Sequence, residues 1–125
     1  MNILIAKTNP NPIYEQIKNQ IKQSILRGEI MEGDLLPSVR GLAKELKVSV
    51  ITTRRAYEDL ENSGYILSIV GKGTYVAKQD PEILRQKQLL EINENIKKII
   101  AKSKLIGLSL DDLQTLIKES YEEEN

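Results

Sequence analysis

Two short helical patterns and a β-hairpin pattern follow one another closely between Gly33 and Val76. Ser38 comes after an extended Leu-Leu-Pro run, and its hydroxyl can cap the first of the two helices. The dipeptide Lys47-Val48 then supplies a turn, and Ser49 can cap a second helix that stops at Asn62-Ser63-Gly64. Two helices joined by so short a turn indicate a helix-turn-helix.

Two β-prone runs come directly after the second helix. They are Tyr65–Val70 and Thr74–Ala77, joined by the three-residue loop Gly71-Lys72-Gly73, in which glycine suits the positive φ of such loops. A lysine between two glycines can approach a nucleic-acid backbone closely, although hairpin tips also carry these residues for solubility. The hairpin completes a winged helix-turn-helix, whose second helix has the size of the DNA major groove.

An amphipathic helix is predicted before this segment, between Asn11 and Gly28. Asn-Pro suits its first turn, and Arg-Gly suits its end. Isoleucine recurs at every fourth position, which predicts a buried stripe formed by Ile13, Ile17, Ile21 and Ile25. We expect Gln16, Lys18 and Lys22 to point outward.

The second helix of the helix-turn-helix has an apolar face and a face for a partner. Ala56 and Leu60 are one turn apart and are expected in the core, with Thr53 and Tyr57 near the same side. The other surface is left to Val50, Ile51, Thr52, Arg54 and Arg55. Exposed apolar side chains at the start of such a helix can contact thymine methyl groups, while Arg55 is placed for a surface ion pair with Glu58 or Asp59.

The last part of the chain contains two further helical patterns. The first begins at Asp80-Pro81, and the second follows Gly107 with Ser109 and Asp112 spaced as a capping box. Their apolar stripes include Leu89, Ile92, Ile96, Ile99, Leu113, Leu116 and Ile117. Two such helices cannot bury both faces against each other alone. We expect them to pair with the same hairpin of a second subunit, while docking onto the winged helix of the same chain stays open.

Charge and composition narrow the function. The net charge of the 125 residues is zero, but residues 1–78 contain 11 Lys/Arg against 8 Asp/Glu, and residues 79–125 contain 7 against 10. The positive excess of the first part is compatible with a nucleic-acid partner without establishing one. Cysteine and histidine are absent, which removes the usual nucleophiles, general bases and soft metal ligands. We therefore expect no catalytic residues, no metal site and no cofactor.

These patterns predict an α+β fold, mostly α, with two domains. Residues 1–78 form an N-terminal winged helix-turn-helix that binds DNA, and residues 79–125 form a C-terminal two-helix dimerisation hairpin. No run approaches the ~20 apolar residues that span a bilayer, so we expect a soluble, cytoplasmic protein with no membrane partner. The tail of about 45 residues is expected to be too short for an effector pocket of 300–1,000 Å³ within one subunit. A groove at a dimer seam stays open, and the sequence identifies no small-molecule effector.

Three runs of the sequence resemble the GntR family of bacterial transcription regulators: LPSVRGLAKELKVS at 36–49, TTRRAYEDLENSGY at 52–65 and GKGTYV at 71–76. PIYEQIKNQI at 12–21, the Ala-Tyr pair at 56–57 and the short two-helix tail look like its YtrA-like branch. The resemblance implies a homodimer that binds double-stranded DNA at an inverted-repeat operator, usually as a repressor and often near genes for an ABC transporter.

The resemblance also implies which residues contact DNA. In the family these are the arginine of the LPSVR motif, the capping hydroxyl and polar residues of the recognition helix, and the wing glycine. They correspond here to Arg40, Ser49, Thr52, Arg54 and Gly71, with Lys72 as the cation of the wing. Val50 stands where the family often has arginine or asparagine, and an apolar side chain cannot make a bidentate hydrogen bond to guanine. We place Val50 at the interface too, without the base preference of relatives.

Two other function classes are considered. A winged helix can serve as a protein-interaction adaptor without reading DNA, because a fold does not determine function. An enzyme or metal site would have to use Asp111-Asp112 or Glu122–Glu124. The first pair already has a helix-capping role, and the acidic run has no rigid neighbours to hold a hard cation. The sequence therefore favours a DNA-binding regulator that is not an enzyme.

Overall fold

A computed structural model describes residues 1–124 of the chain. The elements are α1 (Ile13–Leu26), β1 (Leu35–Leu36), α2 (Val39–Leu46), α3 (Val50–Asn62), β2 (Ile66–Ile69), β3 (Gly73–Val76), α4 (Pro81–Leu105) and α5 (Leu110–Glu123). They form two compact units, the first from Met1 to Gln79 and the second beginning at Asp80. The predicted α+β class with mostly helical content is confirmed.

The core of the first unit lies where α1 and α2 pack on α3 and where the sheet covers them. Ile17 and Ile21 of α1 are fully buried, as the four-residue spacing predicts, but Ile13 opens the helix and is 37% exposed. The predicted inward face of α3 is confirmed, because all four of its members are buried: Thr53, Ala56, Tyr57 and Leu60. Three helices around one core hold the first unit together.

Gln16 was predicted to point outward, but its side chain is buried. Its Nε2 donates to the carbonyls of Ala6 and Asn11 at 3.1 and 3.0 Å, and its Oε1 accepts from the amide of Ala6 at 2.9 Å. One turn along α1, Gln20 makes the same paired bonds to the amide and carbonyl of Leu4. A buried amide is stable when its groups are bonded in this way. The two glutamines attach the N-terminal segment to α1.

A three-stranded antiparallel sheet completes the first unit, in the order β1-β3-β2. Leu35 and Leu36 were predicted to be extended, and they form an edge strand against Tyr75 and Thr74. The hairpin loop is Val70–Lys72, one residue earlier than predicted, because Gly73 already pairs with Ile69. A Cβ atom on Gly73 would lie 3.1 Å from Leu35 Cδ1. Glycine at this position therefore permits the close approach of β1.

The second unit is a pair of helices joined by a short turn. Asp80 caps α4 by accepting from the amides of Glu82 and Ile83. Gly107 has a φ of 76° in the turn, and Ser109 with Asp112 forms the predicted capping box of α5. No helix in residues 1–124 is long and apolar enough to cross a membrane.

Candidate nucleic-acid interface

Arg40 lies at the second position of α2 and is exposed. The start of this helix is set by Ser38, whose Oγ accepts from the amide of Gly41 at 2.9 Å. A Cβ atom on Gly41 would approach that same Oγ to 2.9 Å. The glycine inside α2, which is unfavourable for helix propensity, therefore leaves room for the cap that positions Arg40.

The turn between α2 and α3 depends on Lys47. Its φ of 58° is left-handed, and no other non-glycine residue among positions 1–124 has a positive φ. The amide of Val48 then donates to Ala43 at 3.0 Å and closes the turn. This conformation is rare for a residue with a side chain, and it sets the direction in which α3 begins.

Tyr57 joins α3 to the segment that leads into α2. Its hydroxyl donates to the carbonyl of Pro37 at 2.7 Å. Burial, with the nearby carboxylate of Glu45 as a second cause, raises the pKa of Tyr57 well above its usual range. The hydroxyl therefore stays a donor at any physiological pH.

Ser49 and Thr52, two of the predicted DNA contacts, are in contact with each other at the start of α3. Ser49 Oγ accepts from the amide of Thr52 at 3.0 Å and donates to Thr52 Oγ1 at 2.7 Å. Within the described residues the Thr52 hydroxyl hydrogen has no acceptor, so it remains available to an oxygen outside the chain. The pair both caps the helix and presents a donor beside its N-terminus.

One exposed stripe of α3 contains Ile51, Arg54, Arg55 and Glu58. Ile51 is 78% exposed, whereas Val50, which was also expected on this surface, is half-buried. The sequence pattern assigned both Val50 and Ile51 to this surface and favoured Val50 as the DNA contact. Burial decides between these neighbours, and it depends on packing that the sequence pattern does not show.

Within the described residues, Arg55 does not form the predicted ion pair with Glu58 or Asp59. Its guanidinium carbon lies 3.7 Å from the ring centroid of Tyr14, and Asp59 instead binds Lys18 Nζ at 3.7 Å. Contacts between α1 and α3 therefore engage both Arg55 and Lys18. This contact was not predictable from the sequence pattern, because Tyr14 and Arg55 are 41 positions apart.

The tip of the wing presents Val70, Gly71 and Lys72, all exposed. Gly71 has a φ of 76°, and the carbonyl of Lys72 accepts from the Tyr75 hydroxyl at 3.0 Å. Near the loop end of β2, Ser68 donates its amide to the Glu61 carboxylate at 3.2 Å. The wing is thus connected to the end of α3, and the side chains at its tip are exposed to solvent.

Three of the predicted DNA contacts are cations without a carboxylate partner. Arg40, Arg54 and Lys72 form no ion pair within residues 1–124. A surface cation without an ion-pair partner can bind an external anion without first breaking an ion pair. The predicted site therefore consists of three free cations, the Ser49–Thr52 hydroxyl pair, the half-buried Val50 and the glycine of the wing tip.

The apolar residues predicted for dimerisation lie in the second unit and are incompletely covered. Six of them are 43–53% exposed: Leu89, Ile92, Ile96, Ile99, Leu116 and Ile117. Leu113 is half-buried. Between the end of α4 and α5 lies an open, mainly apolar groove of about 680 Å³. Because this groove is open to solvent, the expectation that the tail is too short for an effector pocket within one subunit stays a prediction.

Comparison with known proteins identifies the family. The pattern described as "Bacterial regulatory proteins, gntR family" matches residues 13–76. The chain belongs to the GntR family. It is 37% identical to the HTH-type transcriptional repressor YtrA of Bacillus subtilis (strain 168) over 117 residues, which cover 94% of this chain and 90% of that protein. The family and the YtrA-like likeness predicted from sequence are confirmed.

Solved structures agree with this assignment. A GntR family transcriptional regulator from Listeria monocytogenes superimposes with a TM-score of 0.71 at 30% identity, covering 89% of this chain and 96% of that one. The structure of AraR(DBD) in complex with operator ORX1 matches with a TM-score of 0.54 at 31% identity, covering 62% of this chain and 96% of that one. This GntR chain is a transcription regulator with a DNA-binding helix-turn-helix, and it is not an enzyme.

Proposed function

We propose that this GntR regulator is a repressor that binds an inverted-repeat operator as a homodimer. Recognition helix α3 enters the major groove, and the β2–β3 wing contacts the backbone beside it. The observation that carries the proposal is that Arg40, Arg54 and Lys72 have no carboxylate partner among residues 1–124. In the same unit Lys18 binds Asp59 and Arg55 stacks on Tyr14. These three free cations belong to the helix-turn-helix and the wing.

Each predicted contact has a role in this proposal. Arg54 reads base edges or phosphate from the exposed stripe of α3, and Arg40 reaches the backbone from the start of α2. Thr52 donates its free hydroxyl hydrogen to a phosphate while Ser49 orients it. Gly71 lets the wing backbone approach the DNA, and Lys72 neutralises a phosphate there. Val50 contributes packing at the edge of the contact.

The two-helix tail supplies the dimer in this proposal. Seven apolar side chains per subunit are partly exposed on α4 and α5, and burying the exposed half of a leucine or isoleucine contributes about 1 kcal/mol. A second copy of the same hairpin covers both faces with two-fold symmetry. Two-fold symmetry in the protein implies two-fold symmetry in the operator. The similar YtrA is a transcriptional repressor, and the similar AraR(DBD) forms a complex with operator ORX1, which supports the repressor and operator parts of the proposal.

The test measures binding to an operator obtained by selection from random duplexes. Affinities of the wild type, Arg40→Ala and Arg54→Ala are compared across a salt series. If each dimer neutralises about 6–8 phosphates, the logarithm of the affinity falls with a slope of about −5 to −7 against the logarithm of the salt concentration. Each variant loses about 1–3 kcal/mol per half-site.

Arg27→Ala is the matched control, because Arg27 is an exposed arginine of the same unit that lies 4.0 Å from the Glu29 carboxylate. Its affinity stays within about 0.5 kcal/mol of the wild type. Equal losses in all three variants would mean that only net charge matters. Weak binding to every duplex at low salt would favour the adaptor function instead.

A further inference from the structure

Ile51 is the most exposed apolar side chain on the recognition helix. It is 78% exposed in the first turn of α3, whereas Ala56, Tyr57 and Leu60 of the same helix are buried in the core. An amphipathic helix ordinarily presents polar residues on its solvated face. Ile51 thus contributes little to the fold, and its apolar surface is available to a partner.

The Ser49 and Thr53 hydroxyls near Ile51 are already donated within the start of the helix. Ser49 Oγ bonds both the amide and the hydroxyl of Thr52, and the Thr53 hydroxyl donates to the carbonyl of Ser49 at 3.2 Å. A β-branched side chain in a helix has one strongly preferred χ1 rotamer. The methyl groups of Ile51 are therefore held in one direction on a rigid first turn.

Arg54 lies three positions after Ile51 on the same exposed stripe. Three residues advance a helix by about 4.5 Å, while successive base pairs are about 3.4 Å apart. A helix lying along the groove therefore brings Ile51 to a base pair one or two steps from the pair beside Arg54. The C5 methyl group of thymine is the apolar group that the major groove offers there.

We propose that Ile51 is a specificity-determining residue that reads the methyl group of a thymine within two base pairs of the Arg54 contact. The inference rests on the proposed operator binding. It assigns to Ile51 the direct methyl contact that sequence reasoning gave to Val50 and Ile51 together, because Val50 is half-buried. A guanine-reading arginine or an adenine-reading asparagine at the start of α3 would select a different base.

The test removes single methyl groups from the selected operator. Each thymine is replaced in turn by deoxyuridine, which keeps every hydrogen-bonding group, and dissociation constants are measured at one salt concentration. One thymine per half-site is expected at which this change weakens wild-type binding about fourfold. Ile51→Ala binds the thymine and deoxyuridine operators equally, whereas Val50→Ala keeps the difference.

Two further variants keep the result interpretable. Met31→Ala truncates an exposed apolar side chain in the loop before β1 and retains both wild-type affinity and the deoxyuridine effect. Ile51→Gln replaces the apolar end of the side chain with an amide and loses the methyl preference as Ile51→Ala does. Urea unfolding of both Ile51 variants is expected to match the wild type, because Ile51 lies outside the core.

The outcomes separate this inference from the function on which it rests. A wild type that prefers no duplex overturns operator binding and this inference together. A wild type that binds an operator but responds to no deoxyuridine overturns only the role of Ile51. The same holds if Ile51→Ala responds to deoxyuridine as strongly as the wild type does.

Discussion

At the residue scale, the partner of each cation separates structural from binding roles. Arg54 and Arg55 are adjacent in sequence, but Arg55 stacks on Tyr14 at 3.7 Å while Arg54 has no ion-pair partner in residues 1–124. A guanidinium over a ring contributes about 0.5–1 kcal/mol at an exposed site. The neighbouring arginines therefore differ in what they do, although their residue type is the same.

Substitution of the two arginines tests this difference. Arg55→Ala lowers the free energy of unfolding by about 0.5–1 kcal/mol, whereas Arg54→Ala leaves it unchanged and weakens operator binding. Urea unfolding followed by circular dichroism measures the first effect. Equal stability of the two variants would contradict the structural role of Arg55.

The pKa of Tyr57 gives a pH prediction. Burial raises this pKa in the folded state above the unfolded value of 10.0, so above that pH the unfolded chain loses the proton first. The stabilisation is fully present below pH 10 and is lost as pH rises toward the folded pKa. Tyr57→Phe should fall less steeply in stability at alkaline pH than the wild type, and should cost about 1 kcal/mol at neutral pH because the bond to Pro37 is lost. Parallel curves for both proteins would refute the assignment.

At the element scale, the N-terminal segment depends on two side-chain amides. Gln16→Ala leaves the buried bonds to Ala6 and Asn11 unmade, and we expect a loss of about 1–3 kcal/mol in unfolding free energy. Gln20→Ala is the control, because its bonds to Leu4 are exposed, and it should cost less. Hydrogen exchange at the Ala6 amide should accelerate in Gln16→Ala alone. Unchanged exchange would show that the segment is held by something else.

Elements were predictable from sequence where their causes are local. The caps Ser38, Ser49 and Ser109 each act on an amide three positions later, so helix starts could be read from neighbouring residues. Burial of Gln16 depends on Ala6, and the pairing of Leu36 depends on Thr74. These partners are distant in sequence, and no periodicity marks them. The prediction that Gln16 points outward was wrong for that reason.

The cations of the candidate site were predictable from sequence motifs, but the burial of its apolar residues was not. The motif matches led to Arg40, Arg54 and Lys72, which the structure leaves without ion-pair partners in the described chain. The contrast between Val50 and Ile51 was not predictable, because adjacent residues differ in burial only once α3 is packed on α1 and α2. The packing of α3 therefore shows that Ile51, and not Val50, is the exposed apolar residue of the first turn.

At the scale of the whole molecule, the proposed dimer requires the apolar faces of α4 and α5. Ile96→Asp and Ile117→Asp each place a charge where burial is proposed, and an unpaired buried charge is strongly unfavourable. Sedimentation equilibrium should show a dimer for the wild type and a monomer, or a much weaker dimer, for both variants. Met31→Asp, at an exposed apolar position of the first unit, should remain dimeric. A monomeric wild type would remove the dimer from the account.

Selection of binding sites from a random duplex library by the purified wild-type protein tests whether the chain recognises an operator as a homodimer. We expect an inverted repeat whose half-sites are centred about one helical turn, ~34 Å, or a multiple of it apart, bound by two chains per duplex. Enrichment of a single half-site bound by one chain would contradict the homodimer. Enrichment of no sequence at all would contradict operator recognition itself.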